Sequence, residues 1–141
     1  MQKNKNRKTR LVVDANAWIS SLLSPGFRDR LGIVFGAAYH LIVSEELFRD
    51  LASAIRKPHL VKKIKQVDYE PLVFLLRADA ELVDVHSIVG ICRDPKDNFL
   101  LALAKDGDAD YLITGDDDLL VLKEFEETKI VTLTDFETVF R

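Results

Sequence analysis

Four short apolar runs constrain this chain more than any other feature: Leu11-Val12-Val13, Leu41-Ile42-Val43, Tyr111-Leu112-Ile113 and Ile130-Val131-Thr132-Leu133. Each is nearly continuous, whereas a strand with one wet face would alternate apolar and polar residues. Both faces of such strands have to be covered, as in a parallel sheet packed between helices. The intervening segments carry helical spacing. Leu47, Leu51 and Ile55 recur every four residues, and Val73, Leu76 and Ala80 nearly so. Further stripes run through Phe99, Leu100, Leu103 and Ala104 and through Leu119, Leu120, Leu122 and Phe125. This β-α-β-α order predicts an α/β domain with right-handed crossovers, built from four or five parallel strands and about six helices. Pro25-Gly26 and Lys57-Pro58 mark turns, and residues 57–69 read as a polar, lysine-rich connection.

The 141 residues fit one domain, and 48% apolar content is enough for its core. With no internal repeat and no linker, a single domain is expected over 10–141, after a basic, flexible N-terminus at 1–9. No apolar run approaches the roughly 18 residues of a membrane helix, and no apolar leader follows the basic start. A cytoplasmic location without a membrane partner is therefore expected. The single cysteine, Cys92, excludes an internal disulfide and a cysteine-based zinc site, and reads as a small core residue. His40, His59 and His86 match no ligand spacing, and Trp18 reads as core.

Net charge is −3, unevenly spread. The first ten residues hold five basic groups and no acid, so the other 131 carry 15 basic and 23 acidic residues. An acidic body is unusual for a passive nucleic-acid binder and suits a protein that gathers cations. The basic tail reads as a solubilising end or as a contact for RNA phosphates.

In open parallel sheets, function gathers beyond the carboxyl ends of the strands. Here those ends are Val13-Asp14-Ala15-Asn16, Val43-Ser44 and Ile113-Thr114-Gly115-Asp116-Asp117-Asp118. Helices add Asp50 and the Asp94-Pro95-Lys96-Asp97 start. Each residue also has a purely structural reading. Ser44 and Asp94 suit N-caps, Asp97 could close a capping box, and Asp116 to Asp118 could open a helix as a solvated turn. Glu46 and Asp50, four apart, repel mildly. Asp14 is the hardest to dismiss, because Asp disfavours the strand that leads into it. Carboxylates sharing one crevice destabilise each other unless a cation joins them. Mg²⁺ or Mn²⁺ is the natural partner for oxygen ligands, and such an ion can serve phosphodiester hydrolysis.

Four blocks together resemble the PIN-domain family: Val12-Val13-Asp14-Ala15-Asn16, Ser44-Glu45-Glu46-Leu47-Phe48-Arg49-Asp50-Leu51, Asp94-Pro95-Lys96-Asp97-Asn98-Phe99, and Thr114-Gly115-Asp116-Asp117-Asp118-Leu119-Leu120. The resemblance spans about Leu11 to Val139 and is strongest to the toxins of bacterial and archaeal toxin–antitoxin pairs. It implies a three-layer, Rossmann-like domain and an Mg²⁺- or Mn²⁺-dependent endoribonuclease cutting single-stranded RNA. It implies a protein antitoxin and a homodimer as well. The family's acidic positions fall on Asp14, Asp97 and Asp116 as metal ligands, with Asp118 as an accessory ligand and Asn16, Ser44 and Thr114 as supporting polar groups. Asp50 would place a second ion or the attacking water. It departs from the family's usual Glu, and its shorter side chain is expected to reach an ion through water.

Other readings fit these residues less well. A haloacid-dehalogenase-like phosphohydrolase would use Asp14, Ser44 and Gly115-Asp116-Asp117, but needs an acid where this chain has Asn16. A dinucleotide site is excluded by the lack of a glycine-rich loop after the first strand. A catalytically weak scaffold that binds RNA or protein is the non-enzyme alternative, supported by Asp50. Arg56, Lys57, Lys62 and Lys63 read as a solvated face or as a patch steering RNA toward the acidic crevice.

Overall fold

The computed structural model describes residues 7–140. Alternation within its strands explains the architecture. On β1 (Thr9–Val13), Leu11 and Val13 enter one hydrophobic cluster and Val12 enters another. Leu41 and Val43 of β2 (Tyr39–Val43) join the first cluster while Ile42 joins the second. On β4 (Tyr111–Ile113), Ile113 and Leu112 divide the same way. All of these strand residues are at most 4% exposed. The continuous apolar runs thus feed two cores, one on each face of the sheet, giving three layers.

The first face is covered by α1 (Ala15–Leu23), α2 (Pro25–Leu31), α3 (Glu45–Ala54), α5 (Gln66–Asp79) and α8 (Leu133–Val139), through Trp18, Leu31, Leu51, Leu76 and Phe136. The second is covered by α6 (Pro95–Asp106) and α7 (Asp117–Leu120), through Leu101, Leu103, Ala104 and Leu119. Each fully buried aliphatic or aromatic side chain contributes roughly 1.5–3 kcal/mol. Cys92 sits half-buried against the second cluster. Its thiol is pushed above the usual range by burial first and by neighbouring carboxylates second, which suppresses its reactivity.

Among the described residues the sheet has six strands in the order β3-β2-β1-β4-β6-β5. Here β3 is Glu81–Leu82, β5 is Glu124–Phe125 and β6 is Thr128–Val131. All pairings are parallel except that of β5 with β6. Helices separate the parallel strands as expected, whereas β5 and β6 follow one another without a helix, and two-residue strands stand at both sheet edges.

Four details depart from the sequence reading. The expected fourth strand ends at Val131, because the Thr132 hydroxyl caps α8 and Leu133 begins that helix. The stripe from Leu119 to Phe125 is not one helix. α7 stops at Leu120, and Lys123 and Glu126 adopt positive φ (64° and 53°) to turn the chain into a β5–β6 hairpin. Residues 57–69 are not a bare connection, since they contain α4 (Pro58–Val61) and the start of α5. Eight α-helices are present among the described residues, two of them (α4 and α7) of a single turn, rather than six. As for the basic N-terminus, residues 1–6 lie outside the described residues. Arg7 pairs with Asp110 at 3.0 Å, and Thr9 begins β1. No described helix is long and apolar enough to cross a membrane.

Candidate functional site

Each central strand leads into a helix, directly or, for β4, after Thr114 and Gly115, and a polar residue caps each helix start. Asp14 caps α1, Ser44 caps α3, Asp116 caps α7 and Thr132 caps α8. Asp94 does the same for α6, with Pro95 at its first position. Parallel strands bring these junctions to one edge. The carboxylates there face helix N-termini, whose unpaired N–H groups and dipoles offset part of their charge.

Asp14 is 3% exposed. The Ala17 backbone N–H donates to its Oδ1 at 2.6 Å, and the Thr114 hydroxyl donates to its Oδ2. Burial raises its pKa; the two hydrogen bonds oppose this, and the charge of Asp116 adds to it. The Asp116 backbone N–H in turn donates to Thr114 Oγ1 at 3.0 Å. Thr114, itself buried, therefore ties the ends of β1 and β4 together.

Asp97 lies in the first turn of α6 and is 5% exposed. Its Oδ2 has no hydrogen-bond partner. The capping-box role is not what the side chain does, because its carboxyl lies beside those of Asp116 and Asp118 instead. Two carboxylates meet this way only if they share a proton or a cation. Burial first, then the Asp116 contact, then the charges of Asp116, Asp94 and Asp118, push the Asp97 pKa up to about 7. Oxygens of Asp97, Asp116 and Asp118 all lie within 4.8 Å of one another. An orphaned buried oxygen, a carboxylate needing a positive partner and an all-oxygen donor set together fit a hard divalent cation.

Asp14, Asn16, Asp50, Asp97 and Asp116 line one cleft of about 220 Å³, together with Asp94, Lys57 and Lys96. The cleft gathers the expected acidic positions, except that Asp118 stands beside Asp97 and Asp116 rather than on its wall. Asp14, with both oxygens already engaged, stands outside the tight group of three. Asp50 is half-buried; burial raises its pKa, Lys96 lowers it, and Glu46 raises it again. Ser44 is 2% exposed and its Oγ accepts the Leu47 N–H at 3.1 Å, so it is occupied as a cap. Of the basic patch, Lys57 reaches the cleft, whereas Arg56, Lys62 and Lys63 are exposed outside its lining.

Two basic residues escaped the sequence reading. Arg93 Nη2 contacts both oxygens of Asp118, at 2.8 and 2.9 Å. Lys96 is on the cleft wall. Lys96 had a signal, standing between Asp94 and Asp97 in a helix first turn. Arg93 had none, since the segment before α6 has no periodicity.

Comparisons with known proteins agree with this fold. The chain is 24% identical over 127 residues to the uncharacterized protein MJ1680 of Methanocaldococcus jannaschii, covering 88% of this chain and 81% of that one. Its fold is similar to that of a chain in the crystal structure of VapBC2 from Rickettsia felis bound to a DNA fragment from their promoter. That likeness has a TM-score of 0.57 and 13% identity, over 86% of this chain and 97% of the other. The family model described as PIN domain matches residues 10–118, which hold Asp14, Asp50, Asp97, Asp116 and Asp118. The chain, whose parallel strands end at this carboxylate-lined cleft, thus belongs to the PIN-domain family.

Proposed function

We propose that this chain is a divalent-cation-dependent endoribonuclease that cuts single-stranded RNA, acting as the toxin of a toxin–antitoxin pair. The observation that carries the reading is the convergence of Asp97, Asp116 and Asp118, with a buried Asp97 oxygen left without a partner. Asp97, Asp116 and Asp118 would hold Mg²⁺ or Mn²⁺, with Asp14 behind them. Bound there, the ion supplies positive charge to the phosphodiester oxygens and acidifies water.

The protein's own groups have distinct parts. Thr114 fixes the Asp14 carboxylate and the Asp116 backbone in one orientation. Asp50 faces the same cleft and accepts a proton from the attacking water, and burial makes it a stronger base than an ordinary Asp. Lys57 and Lys96 draw in phosphate that the acidic wall alone would repel, and Arg56, Lys62 and Lys63 extend this approach. The toxin–antitoxin assignment rests on the four sequence blocks, and it brings with it a protein antitoxin, a homodimer and a cytoplasmic setting.

A binding module is the second reading. Asp50 in place of Glu and the Arg93–Asp118 pair favour it, since a cation already attends one of the three carboxylates. Cleavage of mixed single-stranded RNA with Mg²⁺, Mn²⁺ or EDTA separates the two, run beside Asp97→Asn and with Mn²⁺ calorimetry. Metal-dependent cutting that the variant loses supports the nuclease. Absence of both cutting and Mn²⁺ heat leaves the binding module.

A further inference from the structure

A second cavity, of about 440 Å³, adjoins the cleft on the far side of Asp116. Asn16 and Asp116 belong to both walls. The rest of the second wall is different in character. Asp116 is its one acidic member, and Phe27, Arg30, Thr132 and Thr134 face it. Its volume is in the range of small-ligand sites. Phe27 packs against the main core, so its ring is held in place. Arg30 Nη2 donates to Thr134 Oγ1 at 2.9 Å, and its Nε donates to Glu137 at 3.1 Å. The Arg30 side chain is 45% exposed, and an ion pair that open to solvent is weak and readily exchanged.

We propose that this cavity is a second nucleotide subsite, which takes the unit adjoining the one at the carboxylates. Arg30 binds its phosphate and Phe27 lies against its base or sugar. The inference rests on the ribonuclease reading and deepens it. A strand that occupies both cavities must pass Asn16 and Asp116, so the linkage between its two halves lies beside the carboxylates. An unpaired strand suits this path, because only free bases can turn onto an aromatic ring. Arg30 also holds the chain on a wall that has one carboxylate, beside a cleft whose carboxylates would repel it.

Binding of a short labelled single-stranded oligoribonucleotide to the Asp97→Asn protein, followed by anisotropy across a salt series, tests the assignment. In that background Arg30→Ala should weaken binding about 5- to 10-fold and lower the log–log salt slope by about 0.7, one phosphate contact on a single strand. Phe27→Ala should weaken it by a similar factor, roughly the value of one stacked base, with the slope unchanged. Glu137→Gln breaks the same ion pair but keeps the cation, and should bind as tightly or more tightly. Equal weakening by Arg30→Ala and Glu137→Gln would make Arg30 a structural tie and overturn the subsite. So would unchanged binding in Arg30→Ala and Phe27→Ala while the parent chain cuts RNA. Arg30-dependent binding without cleavage by the parent would sink the nuclease reading alone, and absence of binding would remove the subsite as well.

Discussion

Replacing Asp97 by Asn should stabilise the protein, and by an amount that depends on pH. Asp97 titrates near 7 in the folded chain against 3.8 as its ordinary value. A raised folded pKa means that the native state keeps a proton that the unfolded chain has lost. The associated stability is fully present below about pH 4 and disappears as pH rises through 7. Three units at about 1.4 kcal/mol each give on the order of 4 kcal/mol across that window. Asp97→Asn keeps a neutral side chain at every pH beside the carboxylates of Asp116 and Asp118. The variant should therefore match the parent near pH 4 and exceed it by about 4 kcal/mol at pH 8 in EDTA. At roughly 2–4 °C per kcal/mol for a chain of this size, that is about 10 °C in Tm. Thermal melts from pH 4 to 8, with EDTA and with millimolar Mn²⁺, measure it. Mn²⁺ should raise the parent's Tm at pH 8 and leave the variant nearly unmoved, because a ligand stabilises only the state that binds it. A Tm difference that is flat with pH, or a variant less stable than the parent at pH 8 in EDTA, would refute the electrostatic account of the site.

Other perturbations have equally definite outcomes. Thr114→Val removes the hydroxyl between Asp14 and the Asp116 N–H, leaving the buried Asp14 carboxylate and the half-buried Asp116 N–H short of a partner. It should cost about 1–3 kcal/mol in urea unfolding and lower metal-dependent cleavage. Arg93→Ala frees both oxygens of Asp118, and Mn²⁺ calorimetry should show affinity several-fold tighter than the parent's. Gly107→Ala would place a methyl 2.6 Å from Ile42 Cγ2 and 3.0 Å from the Leu103 carbonyl. A Tm lowered by overpacking, worth about 1–3 kcal/mol, is expected.

The sequence carried the framework of this fold because its central strands are buried on both faces. Val12, Ile42 and Leu112 had to be as apolar as their neighbours, and that continuity is visible without any structure. The β5–β6 hairpin was hidden because Leu119, Leu122 and Phe125 fit a helix and a turn-plus-strand equally well. What separates them is the left-handed backbone at Lys123 and Glu126, residue types that give no warning of it. Pro71, inside α5, masked that helix's first turns, so only the stripe from Val73 onward was readable. At the site, Asp14, Asp97 and Asp116 were legible because each stands at a strand end or helix start. Their mutual arrangement was not, since Asp97 reaches Asp116 rather than its own helix end. The Arg93–Asp118 contact joins two segments 25 residues apart, and nothing local records it.

The pairing of β1 with β4 has a consequence for how the protein comes into being. Leu11 lies against Tyr111 and Val13 against Ile113, so the two strands that carry Asp14 and Asp116 meet only across about 100 residues of chain. Closing so long a loop makes the central pairing a late, slow event in folding. During synthesis the chain passes through a long interval in which β1 has β2 on one side and an open apolar edge on the other. Such an edge invites pairing with another chain. The cleft is therefore absent from every nascent form shorter than about residue 118, and any cutting activity begins only after Asp116 and Asp118 have joined the chain.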